Sequence, residues 1–131
     1  SQYFDLYKLP YVWANYDELD PLGKNQTEQN LTIIREDDSA KVYKLMLPES
    51  GHKEDSNYAH FRIYSDDDTT ARLVYANGNG FSFDILGGPQ ERDYLIRISS
   101  QYAWYSQSVR SMVLESASPI ELVSARIIEG D

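Results

Sequence analysis

Hydrophobic residues along this chain recur with a period of two, in short runs broken by polar turn formers. Ala59, Phe61 and Ile63 alternate with Tyr58, His60, Arg62 and Tyr64 over residues 58–65. Successive side chains of a strand point to opposite faces, so this run predicts a strand with one buried face and one face of polar tips. Residues 70–76 and 80–86 predict the two arms of a hairpin joined through Asn77-Gly78-Asn79-Gly80. An Asn-Gly pair takes positive φ readily, as a tight hairpin turn requires. In the second arm Phe81, Phe83 and Ile85 alternate with Ser82 and Asp84, and Gly87-Gly88-Pro89 ends it.

The pattern continues on both sides. Over 93–99, Tyr94, Ile96 and Ile98 fall on one side and Leu95 and Arg97 on the other. Residues 109–115 and 120–129 predict two strands around Ser116-Ala117-Ser118-Pro119, and residues 31–35 and 41–47 two more around Glu36-Asp37-Asp38-Ser39. Residues 3–9 predict an edge strand stopped by Pro10. Pro21 and Gly23 break a weak helical pattern over 18–28, so 15–29 reads as a long loop. A second polar stretch covers 48–57. Eight or nine short strands with turn signals between them predict an all-β protein, a jelly-roll or Greek-key antiparallel β-sandwich. A closed barrel shares this periodicity. The expected organisation is one domain over 1–131, with 1–30 supplying the edge strand and the long loop.

Composition narrows the function classes. The chain has 131 residues and a formal charge of −9, from 21 acidic and 12 basic side chains. That balance argues against a duplex nucleic-acid binder and against docking on anionic lipid. No apolar run approaches the length of a membrane-spanning helix. With no cysteine there is no disulfide, zinc–thiolate site or thiol nucleophile. The two histidines, His52 and His60, sit in a polar loop and on the outward side of a strand. Both read as surface residues. No Gly-x-Ser-x-Gly elbow, phosphate loop or His-Glu-x-x-His motif is present. Catalysis by a carboxylate pair would rest on Asp84 and Asp93, the acids nearest predicted strand ends. The expectation is a domain that is not an enzyme by itself.

Three acidic groups bear on metal binding. Asp66-Asp67-Asp68 reads as a solvated turn, with a calcium loop as the alternative. Asn15, Asp17, Glu18 and Asp20 place oxygens at alternating positions, like half of a calcium-binding loop without its glycine and terminal glutamate. Glu129 and Asp131 follow the last strand and could supply ligands across the fold.

Aromatic residues reach 13%, and 11 of them are tyrosine. They gather at 10–16 and at Tyr102-Ala103-Trp104-Tyr105. The apolar C–H faces of a sugar stack on aromatic rings, while amides and guanidinium groups hold its hydroxyls. Beside the second cluster stand Gln101, Gln107 and Arg110, in a connection between strands where binding loops usually lie. The expected ligand-binding set is therefore Tyr102, Trp104, Tyr105, Gln101, Gln107 and Arg110. Core packing of Trp13 and Trp104 is the competing reading. Asn25-Gln26-Thr27 and Asn30-Leu31-Thr32 also fit the glycosylation sequon, a pattern that arises often by chance.

The order of short strands, closing on Ile120-Glu121-Leu122-Val123-Ser124-Ala125-Arg126-Ile127-Ile128-Glu129, resembles the galactose-binding-like jelly roll over about Leu31 to Glu129. That family includes carbohydrate-binding modules and accessory domains of surface enzymes. The resemblance implies a carbohydrate partner and a structural calcium ion near the strand ends, with Asp17, Asp20 and Glu129 as the matching positions. The segment Leu9-Pro10-Tyr11-Val12-Trp13-Ala14-Asn15-Tyr16-Asp17 resembles the stretch after the last membrane helix of some bacterial polysaccharide glycosyltransferases. That resemblance implies an extracytoplasmic tail at a bacterial cell surface. The functional expectation is a non-catalytic carbohydrate-binding-like accessory module. A structural or protein-interaction domain docking a neighbouring domain is the alternative.

Overall fold

A computed structural model of the chain describes residues 12–14, 27–47, 56–75, 79–98 and 109–129. Ten strands fill it: β1 (Val12–Ala14), β2 (Thr27–Asn30), β3 (Thr32–Arg35), β4 (Val42–Met46), β5 (Ser56–Tyr64), β6 (Thr69–Tyr75), β7 (Asn79–Ile85), β8 (Arg92–Ile96), β9 (Ser111–Ser116) and β10 (Glu121–Glu129). They form two five-stranded antiparallel sheets. Sheet I has the order β1-β8-β5-β10-β2 and sheet II the order β3-β4-β9-β6-β7.

The pairings are nested about one hairpin. β6 pairs with β7, β5 with β8, β4 with β9, and β2 with β10. Successive pairs fall alternately on sheet II and sheet I. A long antiparallel ribbon rolled so that its pairs alternate between two layers is a jelly roll. The expected β-sandwich class is therefore the one found. β1 and β3 are additions at the outer edges of this roll.

The inward faces follow the period of two. Ala59, Phe61 and Ile63 of β5, Leu73 of β6, Phe81, Phe83 and Ile85 of β7, and Leu45 of β4 belong to one buried core. Phe83 and Tyr94 meet across the sheets with ring centroids 5.9 Å apart. In β10 the alternation slips. Leu122 pairs with Ile63 but Ser124 with Arg62, which leaves Val123 as an extra, exposed residue. A bulge of this kind lets Leu122 and Ala125, three apart, both point inward.

Two expectations are corrected. The long loop over 15–29 ends early, because Thr27–Asn30 forms β2 against the end of β10. Val12–Ala14, expected only as part of an aromatic cluster, pairs with β8 as β1. Both strands sit at sheet edges, where pairing needs a neighbour's backbone more than an apolar pattern of their own. The strand expected over 3–9 lies outside the described residues.

The two ends of the sandwich differ. The four connections 36–41, 65–68, 86–91 and 117–120 gather at one end, the turn pole, where 36–41 bonds to 117–120, 65–68 bonds to 86–91, and 117–120 also bonds to the start of β6. Ile120 N donates to Ala40 O at 2.9 Å, Ala117 N to Thr70 O at 2.9 Å, and Gly88 N to Ser65 O at 3.1 Å. Ala40 takes φ of 59°, left-handed backbone that costs a β-carbon residue about 1 kcal/mol. Two core tyrosines reach the same end. The Tyr43 hydroxyl donates to Ile120 O at 2.6 Å, and the Tyr94 oxygen accepts from Leu86 N at 2.9 Å. A β-carbon on Gly87 would fall 2.5 Å from the Asp67 carbonyl carbon, so glycine lets the 65–68 and 86–91 turns touch. At the opposite end, the loop pole, β4, β6 and β8 finish and β5, β7 and β9 begin. The connections from 47 to 56, 75 to 79 and 98 to 109 join strands there.

Candidate functional site

The outward face of sheet I carries the most organised polar chemistry among the described residues. On β5, His60 and Arg62 alternate with the core residues Ala59, Phe61 and Ile63, so their side chains leave the sandwich. Register sets Asp93 of β8 opposite Arg62, and Leu95 opposite His60. His60 Nε2 stands 2.8 Å from Asp93 Oδ1. Arg62 Nη1 donates to both Asp93 oxygens at 3.3 and 3.4 Å, and Arg62 Nε donates to Glu91 Oε1 at 2.7 Å. Arg126, opposite His60 on β10, donates to Glu28 Oε2 at 3.1 Å.

Burial grades across this network. His60 and Asp93 are 5% and 6% exposed, whereas the Arg62 and Glu91 side chains remain open to water. His60 was expected at the strand surface, and that expectation is corrected. Its position on the outward face is right, but the face around it is closed. A buried carboxylate needs several donors, and His60 with Arg62 supplies them. No group of three or more His, Cys, Asp or Glu side chains among the described residues is arranged to hold a metal. The arrangement can lock β5 to β8 through side chains as well as backbone.

The two acids considered for catalysis do not share a cleft. Asp93 lies on the outward face of sheet I. Asp84 pairs with Thr70 on the outward face of sheet II. The whole core separates them, so they cannot flank one bond.

Asp66-Asp67-Asp68 forms the turn between β5 and β6. The Tyr64 hydroxyl donates to Asp66 Oδ1 at 2.7 Å, which pushes the Tyr64 phenol above its ordinary pKa. Gly87 N donates to Asp68 Oδ1 at 2.8 Å, and Ser65 Oγ donates to Asp67 O at 2.6 Å. These bonds account for the acidic run as a turn. Beside it an open depression of about 280 Å³ is lined by Asp68, Thr69, Thr70, Asp84, Ile85 and Leu86. The outward face of sheet II has no aromatic side chain among its described residues. It presents Val42, Lys44, Met46, Val113, Glu115, Arg72, Val74, Ser82 and Asp84.

Of the expected ligand-binding set, Gln101, Tyr102, Trp104, Tyr105 and Gln107 lie outside the described residues. Arg110 is described. It is exposed at the loop pole, and its carbonyl accepts from Leu47 N at 3.0 Å. The residues that frame the connection, Ile98 and Val109, are both in the core. Asp17, Asp20 and His52 also lie outside the described residues. Glu129 ends β10 at the loop pole, opposite Thr27 and Ser56. The His60–Asp93 pair went unrecognised in the sequence. Its signal was available only through register, which sets the outward Arg62 of β5 against Asp93 of β8.

The fold defines the class of this protein as a jelly-roll β-sandwich. Comparison with protein-family models, with curated proteins and with solved structures found no match.

Proposed function

We propose that this domain is a non-catalytic, extracytoplasmic recognition module that binds carbohydrate at its loop pole. The supporting observation is the sorting of connections between the ends of the sandwich. At the turn pole, four turns bond in two pairs, 36–41 with 117–120 and 65–68 with 86–91. The connection carrying Tyr102, Trp104 and Tyr105 instead joins β8 to β9 at the opposite pole, between two residues anchored in the core. Loops held by a rigid sandwich are the usual place for recognition. In this reading the three rings stack on a sugar, and Gln101, Gln107 and Arg110 take its hydroxyls. A calcium ion held by Asp17, Asp20 and Glu129 belongs to the same proposal, and chelation should then lower Tm.

The test is titration of the domain against a glycan panel, read by tryptophan fluorescence and repeated with Trp104→Ala. Binding that is lost in the variant supports the proposal. If no glycan binds, or the variant binds as well as the unaltered chain, the sugar reading falls and docking of a neighbouring domain replaces it.

A further inference from the structure

Among the described residues β3 is the outermost strand of sheet II, and its outward-turned groups can be read from the hydrogen-bond alternation. Glu36 N donates to Val42 O, and Leu47 N to Arg110 O. In an antiparallel pair, residues alternate between bonding one neighbour and the other. The even positions Thr32, Ile34 and Glu36 therefore bond to β4. The odd positions Ile33 and Arg35 turn their N–H and C=O away from the sheet. On one side the opening stops at Leu31, whose N–H donates to Ala125 O across the corner. On the other side it stops at the 36–41 turn. The open edge is thus two residues long. Beside it stands Ile34, which is 43% exposed, on the outward face next to Lys44.

From this geometry we propose that two copies of the chain pair edge to edge through β3, antiparallel, about a two-fold axis at Ile34. That axis sets Ile33 against the partner's Arg35, and Arg35 against the partner's Ile33. The open groups then satisfy one another through about four hydrogen bonds. It also lays Ile34 against the partner's Ile34 and covers an apolar side chain otherwise left in water. The occupant follows from length. A longer foreign strand gains nothing beyond residue 35, whereas a second copy offers an edge of the same two residues in the same register. The two sheets II then run on as one ten-stranded sheet. Each copy carries a charge of −9, so the pairing is weak at low ionic strength and strengthens as salt screens the repulsion. This inference does not depend on the carbohydrate reading.

The chain has no cysteine, so a single introduced thiol gives a clean report. At the axis, Ile34 and the partner's Ile34 form a pair without mutual backbone bonds, the closer kind, which suits a disulfide. Under mild oxidation Ile34→Cys should cross-link to dimer many times faster than Leu86→Cys, a control that is equally exposed in the unaltered chain. In sedimentation of the unaltered chain, average mass should rise with protein concentration and with added salt, and Ile34→Lys should abolish the rise. Cross-linking no faster than the control, or a mass that stays monomeric at millimolar concentration in high salt, would overturn the proposal.

Discussion

The outward faces of the two sheets start from the same alternation and reach different ends. On sheet II, Arg72, Ser82, Asp84 and Glu115 are exposed to solvent. On sheet I, Leu95 and Ile128 are fully shut from solvent although they point away from the opposite sheet, and His60 and Asp93 are buried beside them. A polar group on the first kind of face is cheap to change. On the second kind each polar atom must find a partner within the protein, so its neighbours constrain it. Strand periodicity reports which face a residue takes. It does not report whether that face is wet.

The largest effect that tests this contrast is apolar. Leu95→Ala should lower stability by about 3 kcal/mol, as a core truncation does. Val113→Ala, on the half-open face of sheet II, should cost about 1 kcal/mol. Chemical denaturation of both variants gives the comparison directly, and equal losses would break it. Next comes the acid pair. Asp93→Ala leaves a buried imidazole without its carboxylate and should cost about 2 kcal/mol. Asp84→Ala should change stability by less than about 0.5 kcal/mol.

The layer between the faces has its own pH signature. Burial pushes the Tyr94 phenol above the ordinary tyrosine value of 10.0. The fold therefore favours the neutral phenol. That contribution is complete below pH 10.0 and is lost as pH rises through the raised folded value. Alkaline unfolding followed by circular dichroism should begin at higher pH in Tyr94→Phe than in the unaltered chain. The variant is nonetheless expected to be about 1 kcal/mol less stable at neutral pH, because Leu86 N loses its acceptor. The smallest effect belongs to the open rim of sheet I. Glu91→Gln breaks the Arg62 pair where both side chains meet water, so the loss should be a few tenths of a kcal/mol and vanish in high salt.

Most of the fold was legible because its central strands alternate strictly. β5, β7 and β8 place the expected residues inward, and the two expected arms on either side of residues 76–78 pair as β6 and β7. β2 was not legible. Thr27, Glu28, Gln29 and Asn30 carry no apolar signal, and only the backbone of β10 makes them a strand. The slip at Val123 was hidden too, since a bulge changes which residues face inward without changing composition. For the candidate site, sequence placed His60 on the correct side of β5 but could not tell that this side is closed. Asp84 and Asp93 looked equivalent as acids near strand ends. Only the assignment of β7 and β8 to different sheets separates them.

The nested pairing also governs how the chain can be divided. A cut within the 76–78 connection leaves β1 to β6 on one piece and β7 to β10 on the other. Across sheet I, strands from the two pieces then alternate without exception: β1, β8, β5, β10, β2. In sheet II, β9 is inserted between β4 and β6. Neither piece retains a contiguous half of either sheet, so neither has a foldable subset of its own. The two are complementary in the way interlaced fingers are. Separately expressed, they should remain unfolded, and mixed, they should restore one sandwich.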